Sequence, residues 1–239
     1  MKWQFRSCAR WTSTAFGAAG AIYAGYAATT WWRYGYANPP SDAEQDPLLD
    51  RFMPLYDVAE RHHVRIHAPA EVTLAAASEM NLLELPVARA LFRARALILG
   101  AKPDTTRRPT GLLPLVESIG WGVLAEIPGR EIVVGSITKP WEANVTFRAL
   151  PPGVFAAFRD PGFAKIVWTL RADPLGANDS VFRTETRVAT TDETSRARFR
   201  RYWSLLSPGI LLTRRISLGP LKREAERRAA SCVECLSSS

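Results

Sequence analysis

The chain has 239 residues, 47% of them hydrophobic, and a formal net charge of +8. Three cysteines are too few for a disulfide framework, so the composition excludes a small disulfide-stabilised fold. No recognised nucleic-acid-binding module accompanies the positive charge, and we expect no nucleic-acid partner. The length that remains after the N-terminal segment described next is typical of one domain with a substantial core.

Residues 11–32 contain no charged side chain and follow a basic N-terminus, residues 1–10. Twenty-two helical residues span roughly 33 Å, enough for the hydrocarbon core of a bilayer. Trp11 lies at one end of the segment and Trp31 and Trp32 at the other, as in the aromatic belts of membrane-spanning helices. The sequence therefore predicts a single transmembrane helix and a membrane bilayer as partner.

Two alternatives remain open, a cleaved signal peptide and an interfacial or buried helix. Small residues at Gly17, Ala21, Gly25 and Ala28 give one smooth face, which indicates a possible helix partner in the membrane.

The orientation follows from the charges on either side of the segment. Lys2, Arg6 and Arg10 precede it, whereas Arg33 alone follows before an acidic stretch. The positive-inside rule then predicts a cytoplasmic N-terminus and a domain outside. We expect a linker over residues 33–50, a folded domain over residues 51–230 and a disordered tail over residues 231–239.

The first half of the domain reads as one strand and two helices. Residues 56–67 alternate in polarity, which predicts a half-buried strand. The period then changes, and residues 72–80 and 87–99 are typical of amphipathic helices, the second of them stopped by Gly100.

The second half reads mainly as antiparallel strands. Pro128 and Gly129 form a predicted hairpin turn between strands 121–127 and 130–137, and residues 163–173 and 181–190 form a second predicted pair. Residues 145–150 are a short strand candidate and residues 154–158 a helical turn. The final amphipathic helix begins near residue 193; Pro208 and Gly209 break or kink it after residue 206, and helix resumes over residues 210–230.

Helices segregated beside an antiparallel sheet define an α+β fold, with a curved sheet wrapped around a long C-terminal helix. The chain resembles the START-like, or polyketide cyclase/Bet v 1-like (SRPBCC), superfamily in its helix-grip arrangement. The resemblance is carried by residues 161–165, 184–188 and 198–203. These segments are similar to those of an uncharacterised bacterial group of the superfamily that has an N-terminal hydrophobic segment.

The resemblance implies a cavity between the sheet and the C-terminal helix that holds a lipid or another hydrophobic molecule without covalent chemistry. It implies no cofactor and no metal. Side chains that point inward by strand alternation or helix period would line the cavity. These are Val64, Ile66, Trp168, Leu170, Phe182, Thr184, Thr186, Tyr202, Trp203 and Leu206.

Two other functions remain open. His62 and Glu60 fall on the predicted inner face, where an apolar cavity would shift both pKa values, so a cyclase- or hydrolase-type enzyme is one alternative. His63 falls on the opposite face, and the three histidines therefore cannot converge on one metal ion. A non-catalytic membrane interaction module is the second alternative.

Overall fold

A computed structural model of the chain describes residues 20–101 and 108–237. Within these ranges the protein is an α+β structure with one antiparallel sheet, whose strand order is β1-β6-β5-β3-β2, with β4 paired to β3. The strands are β1 Val58–Ile66, β2 Gly122–Ile127, β3 Glu131–Thr138, β4 Phe147–Arg148, β5 Ala164–Pro174 and β6 Ser180–Thr190. The predicted strands and the hairpin at Gly129 are confirmed.

Seven helices accompany the sheet in the described ranges. They are α1 over residues 20–33, α2 Pro47–Asp50, α3 Ala70–Glu79, α4 Pro86–Leu99, α5 Leu112–Ser118, α6 Pro152–Ala157 and α7 Glu193–Ser237. Gly100 ends α4 in the left-handed conformation that the sequence predicted. Helix α5 was not predicted, because its seven residues are too few to establish a helical period.

Helix α7 lies across the inner face of the sheet and continues through Pro208 and Pro220 without interruption. The predicted interruption between residues 206 and 210 is therefore wrong. Tertiary packing outweighs the proline: Leu91 of α4 lies against Gly209 so closely that a Cβ there would be 2.1 Å from its Cδ1. Helix α7 also extends to Ser237, into the segment that the sequence assigned to a tail.

The outer face of the sheet is also covered, by the residues assigned to a linker and those that follow. Leu49, Phe52 and Met53 are buried there against Val133 and Val167 of the sheet. Asp46 begins this covering segment as the N-cap of α2, where its side chain accepts a hydrogen bond of 2.8 Å from the Leu49 N–H. Strands β5 and β6 are therefore buried on both faces.

A buried arginine attaches the covering segment to the sheet. Arg187 is 1% exposed and donates from Nε to Glu185 at 2.7 Å, and from Nη1 to Asp50 at 2.5 Å and to the Met53 carbonyl at 2.8 Å. Its guanidinium also lies 4.8 Å from the centre of the Tyr56 ring.

Helix α1 packs against the first part of α7. The Tyr23 hydroxyl donates to the Leu205 carbonyl, the Tyr26 and Ser207 hydroxyls are 3.2 Å apart, and Arg200 Nε donates to the Trp31 carbonyl at 2.8 Å. No helix in the described ranges is both long and apolar enough to cross a membrane. The first nine residues of the predicted span, 11–19, lie outside the described residues, so the transmembrane helix stays a prediction.

We expect substitution of Arg187 by Met to destabilise the domain. The change leaves the Glu185 carboxylate and the Met53 carbonyl with fewer partners in a buried position, at a cost of about 3 kcal/mol in the free energy of unfolding. Urea denaturation measures this loss, and Arg51→Met, an exposed arginine next to α2, is the control. Equal stability of the two variants would contradict the role given to Arg187.

A buried carboxyl group on the outer face, that of Glu131, makes the free energy of unfolding depend on pH. Burial, followed by the nearby Asp46 carboxylate, raises the pKa of Glu131 from 4.5 to about 8. The folded protein therefore holds a proton on Glu131 over a pH range in which the unfolded chain has released it. The free energy of unfolding should fall as the pH rises from about 4.5 to about 8, and then level off with respect to this group.

We expect Glu131→Gln to remove that dependence. The variant should match the wild type near pH 4 and become progressively more stable than it up to about pH 8, because glutamine cannot ionise. Urea denaturation at pH 4, 6, 8 and 9 measures the difference, with the exposed Glu126→Gln as the control. A difference that stays constant over this range would show that Glu131 is not protonated in the folded protein.

Candidate ligand site between the sheet and helix α7

The inner face of the sheet carries two apolar clusters. One lies towards the C-terminal part of α7 and includes Ile66, Trp168, Leu170 and Phe182 with Leu221. The other lies towards the N-terminal part of α7, and its buried members are Tyr34, Val58, Ala164, Val188, Phe199 and Trp203. Ile66, Trp168, Leu170 and Phe182 of the first cluster belong to the inward set that strand alternation predicted.

A band of polar side chains separates the two clusters, and we call it the polar belt. On β1 it consists of Glu60 and His62, which follow Val58 and precede Val64 and Ile66 on the same face. On β6 it consists of Thr186 and Thr184, which pair in register with Glu60 and His62. Arg214 of α7 faces this band, since its charge acts on both Glu60 and His62.

The polar belt contains buried polar atoms that have no hydrogen-bond partner among the described residues. The Thr186 hydroxyl oxygen and the His62 Nε2 atom have no hydrogen-bond partner among the described residues. Thr186 is only 8% exposed. Because a buried polar atom without a partner costs free energy, these two atoms mark a place where the interface between sheet and helix is incomplete.

Burial and the arginines set the charges of the belt. Burial lowers the pKa of His62, and the positive charges of Arg214 and Arg215 lower it further, so its imidazole is neutral at pH 7. Burial raises the pKa of Glu60, while Arg214 acts in the opposite direction. Burial also lowers the pKa of Arg214, to about 10, which leaves it charged at pH 7. One neutral ring, one carboxyl group and one cation therefore face the same region.

A cleft of about 270 Å³ opens beside the belt, between α1 and β1. This is the space of roughly nine water molecules in the liquid, near the lower limit for small-molecule pockets. Glu60 of the belt and Trp203 of α7 are among its lining residues. The others are Tyr26, Thr29, Thr30, Arg33, Tyr34, Tyr36, Ala37, Asn38, Asp57, Val58 and Ala59.

The ten residues predicted to line a cavity fall into three places. Ile66, Trp168, Leu170 and Phe182 are buried in the C-terminal apolar cluster, with Val64 packed against it. Thr184 and Thr186 belong to the polar belt. Tyr202, Trp203 and Leu206 lie on α7, and of the ten only Trp203 lines the cleft. The assignment of all ten to a ligand stays a prediction.

Sequence reasoning missed Arg214 and the aromatic side chains of α1. Arg214 lies in a strongly basic helix, but it follows Trp203 and Ile210 at helical spacing, and that phase places it on the inner face. Tyr26 and Tyr34 were read as part of, or next to, a membrane span, and nothing in their spacing indicated a contact with the domain. Asp57 also lines the cleft, next to the beginning of β1, and alternation within residues 56–67 did not indicate this.

The described residues include no group of three or more His, Cys, Asp or Glu side chains that could hold a metal ion. His67 is exposed and pairs with Asp179 at 2.7 Å through Nδ1, far along β1 from the belt. What the belt offers is hydrogen bonding and a positive potential for a polar group of a guest molecule.

These features define an α+β domain of the helix-grip type, with a polar belt and an adjoining cleft. No family model matches the sequence, and no curated protein matches it. Solved structures that resemble it include CalU16 from Micromonospora echinospora, the Zhui aromatase/cyclase from Streptomyces sp. R1128, and the di-domain ARO/CYC BexL from the BE-7585A biosynthetic pathway.

The three similarities are weak. CalU16 is 14% identical with a TM-score of 0.25, and the match covers 74% of this chain and 88% of that one. The Zhui protein is 16% identical with a TM-score of 0.22, covering 72% and 94%. BexL is 14% identical with a TM-score of 0.23, covering 71% and 46%. Similarities at this level indicate neither the ligand nor the reaction of this chain.

We expect Thr186→Val to stabilise the protein. Valine keeps the shape of threonine but removes a buried hydroxyl that has no partner, a gain of about 1 kcal/mol in the free energy of unfolding. Thr190→Val, on the same face of β6, is the matched control. The Thr190 hydroxyl donates to Asp57 at 2.6 Å, and its loss should cost about 1–2 kcal/mol.

Urea denaturation of the two threonine variants distinguishes the two positions by the sign of the change. Loss of stability in both variants would show that the Thr186 hydroxyl has a partner in the folded protein, and it would remove the evidence for an incomplete interface at the belt.

Proposed function

We propose that this domain binds one small amphipathic molecule, with the polar group of the molecule at the belt and its apolar part in the adjoining cleft. The observation that carries the proposal is the pair of unsatisfied buried atoms, Thr186 Oγ1 and His62 Nε2, next to a cleft that reaches Glu60. A guest hydroxyl, carbonyl or carboxylate would supply the missing hydrogen bonds.

The cleft itself is suited to an amphipathic guest. Trp203, Tyr26 and Val58 offer apolar surface, whereas Thr29, Thr30 and Asn38 offer hydrogen-bonding groups. A purely structural interface at this position would be expected to contain apolar residues, because an apolar substitution at Thr186 would be better packed and equally well hydrogen-bonded. Retention of the polar group supports a binding role.

A lipid or other hydrophobic molecule remains the class of ligand that we propose. Anchoring of the domain by residues 11–32 also remains a proposal. If residues 23–32 keep their contacts with α7, residues 11–22 alone span about 18 Å as a helix, less than the hydrocarbon core. A bilayer span by the whole segment therefore requires α1 to separate from α7.

Acid–base catalysis in the same region is a second candidate. Glu60 and His62 both face inward, as this alternative requires, and burial favours the uncharged form of each, raising the pKa of Glu60 and lowering the pKa of His62. On a strand they are about 6.6 Å apart along the chain, close enough to contact two atoms of one guest. An enzyme of this type would lose activity in His62→Gln and Glu60→Gln, whereas a binding protein would still hold its ligand in at least one of the two variants.

The binding function is tested by filling the cleft. Ala37 lines the cleft, and Ala37→Trp should displace the apolar part of a guest without altering the sheet; Ala90→Trp, at an exposed position on α4, is the matched control. We expect native mass spectrometry of the full chain to detect a co-purifying organic molecule in the wild type and in Ala90→Trp, and its loss in Ala37→Trp.

Titration with 1-octanol as a defined probe should give at least tenfold weaker binding for Ala37→Trp than for Ala90→Trp, because the probe competes with the introduced indole for the same volume. Absence of any bound molecule in the wild type, together with no binding of the probe, would exclude the proposed function.

A further inference from the structure

The side of α7 that faces away from the sheet carries exposed apolar side chains in its middle. Leu205, Leu212 and Ile216 recur at helical spacing on this side, and Leu205 and Leu212 are about half exposed. Helix α1 adds Ile22, which is 74% exposed, next to the contact between Tyr23 and Leu205. We call these four side chains the outward apolar stripe.

Arginines flank the stripe along the same side of α7. Arg198 and Arg201 precede Leu205, and Arg215 and Arg223 lie on either side of Ile216, all within about 60° of the direction of Leu212 on a helix of 3.6 residues per turn. No acidic residue occurs from Arg198 to Arg223; beyond this stretch Glu224 pairs with Arg227 and Arg228, and Glu226 pairs with Lys222. The stripe therefore lies in a positive potential along roughly 38 Å of helix.

We infer that the outward side of α7, together with Ile22 of α1, docks on the surface of an anionic lipid bilayer. Apolar side chains in the middle of a helix, with arginines around them and no acidic residue between them, match the arrangement of helices that lie in the plane of a membrane. Anionic head groups supply the opposite charge for the arginines, and the acyl boundary receives the apolar side chains.

A bilayer fits the stripe better than a nucleic acid does. A phosphate backbone would pair with Arg201, Arg215 and Arg223 but would offer no apolar surface to Leu212 and Ile216. Trp32, 80% exposed at the end of α1, is a residue type enriched at the boundary between lipid and water. Docking of this kind keeps α1 on α7, and it goes beyond ligand binding because it assigns a partner to a different surface.

The test uses the full chain and vesicles of phosphatidylcholine, with and without 30% phosphatidylglycerol, in a flotation assay. We expect binding to the anionic vesicles at low salt, at least fivefold less binding at 0.5 M salt, and little binding to the neutral vesicles. Leu212→Gln with Ile216→Gln should reduce binding to the anionic vesicles at least fivefold, and so should Arg201→Gln with Arg223→Gln.

Two matched controls carry the same chemical changes elsewhere. Leu55→Gln with Leu175→Gln removes exposed leucines that lie outside α7, and Arg51→Gln with Arg159→Gln removes exposed arginines. Both pairs should bind as the wild type does. Thermal unfolding of every variant separates lost binding from lost folding.

Several results would overturn the inference. Equal binding to neutral and anionic vesicles that no substitution changes would show that residues 11–32 insert on their own. Loss of stability in the leucine and isoleucine variant, with vesicle binding intact, would show that the chain itself covers the stripe. Binding of a DNA duplex that depends on the arginines but not on Leu212 and Ile216, without vesicle binding, would assign the surface to nucleic acid.

Discussion

The buried guanidinium of Arg187 connects parts of the chain that the sheet alone would not bring together. It lies between β6 and the segment that covers the outer face of the sheet, and it binds a carboxylate on its own strand, a carboxylate on α2 and a carbonyl just after α2. The covering segment runs directly from the end of α1, so its position fixes where α1 enters the domain. Because α1 forms one wall of the cleft, the shape of the cleft on the inner side depends on an ion pair on the outer side.

The two faces of the sheet differ in the surroundings of their polar residues. On the outer face, Arg61 binds Glu185 at 2.9 Å, and Arg183 and Arg171 both bind Asp173, while Arg61 Nε and Glu131 Oε1 have no hydrogen-bond partner among the described residues. On the inner face, Thr186 and His62 have atoms without partners among the described residues. Ion pairs of the kind found on the outer face are typical of a structural role. On the inner face the unpartnered atoms lie beside a cleft, where a guest molecule could supply their hydrogen bonds.

Local patterns were sufficient to predict the sheet. Alternation in residues 56–67, 163–173 and 181–190 identified the strands and their inward faces, because each of these strands places apolar side chains in a core on one side. Alternation could not reveal that the outer face is buried too. Lys165, Thr169 and Arg187 are polar residues, and only the arrival of a distant segment turns them from surface positions into interior ones.

The position of Arg214 could not be predicted with the same ease. A cation in a basic helix is ordinarily a solvated residue, and its inward direction becomes clear only when the helix is known to continue through Pro208. Likewise, the contacts of Tyr23 and Tyr26 with α7 join residues about 180 positions apart, which no local period encodes.

Each of the two prolines inside α7 removes one backbone hydrogen bond that an uninterrupted helix would make. Residues 209–219, which include Arg214, therefore lie between two points at which the helix lacks a backbone hydrogen bond. Packing of α7 against the sheet, α3 and α4, added to the remaining backbone hydrogen bonds, keeps the helix continuous there, so the position of Arg214 depends on side-chain contacts along the whole length of α7.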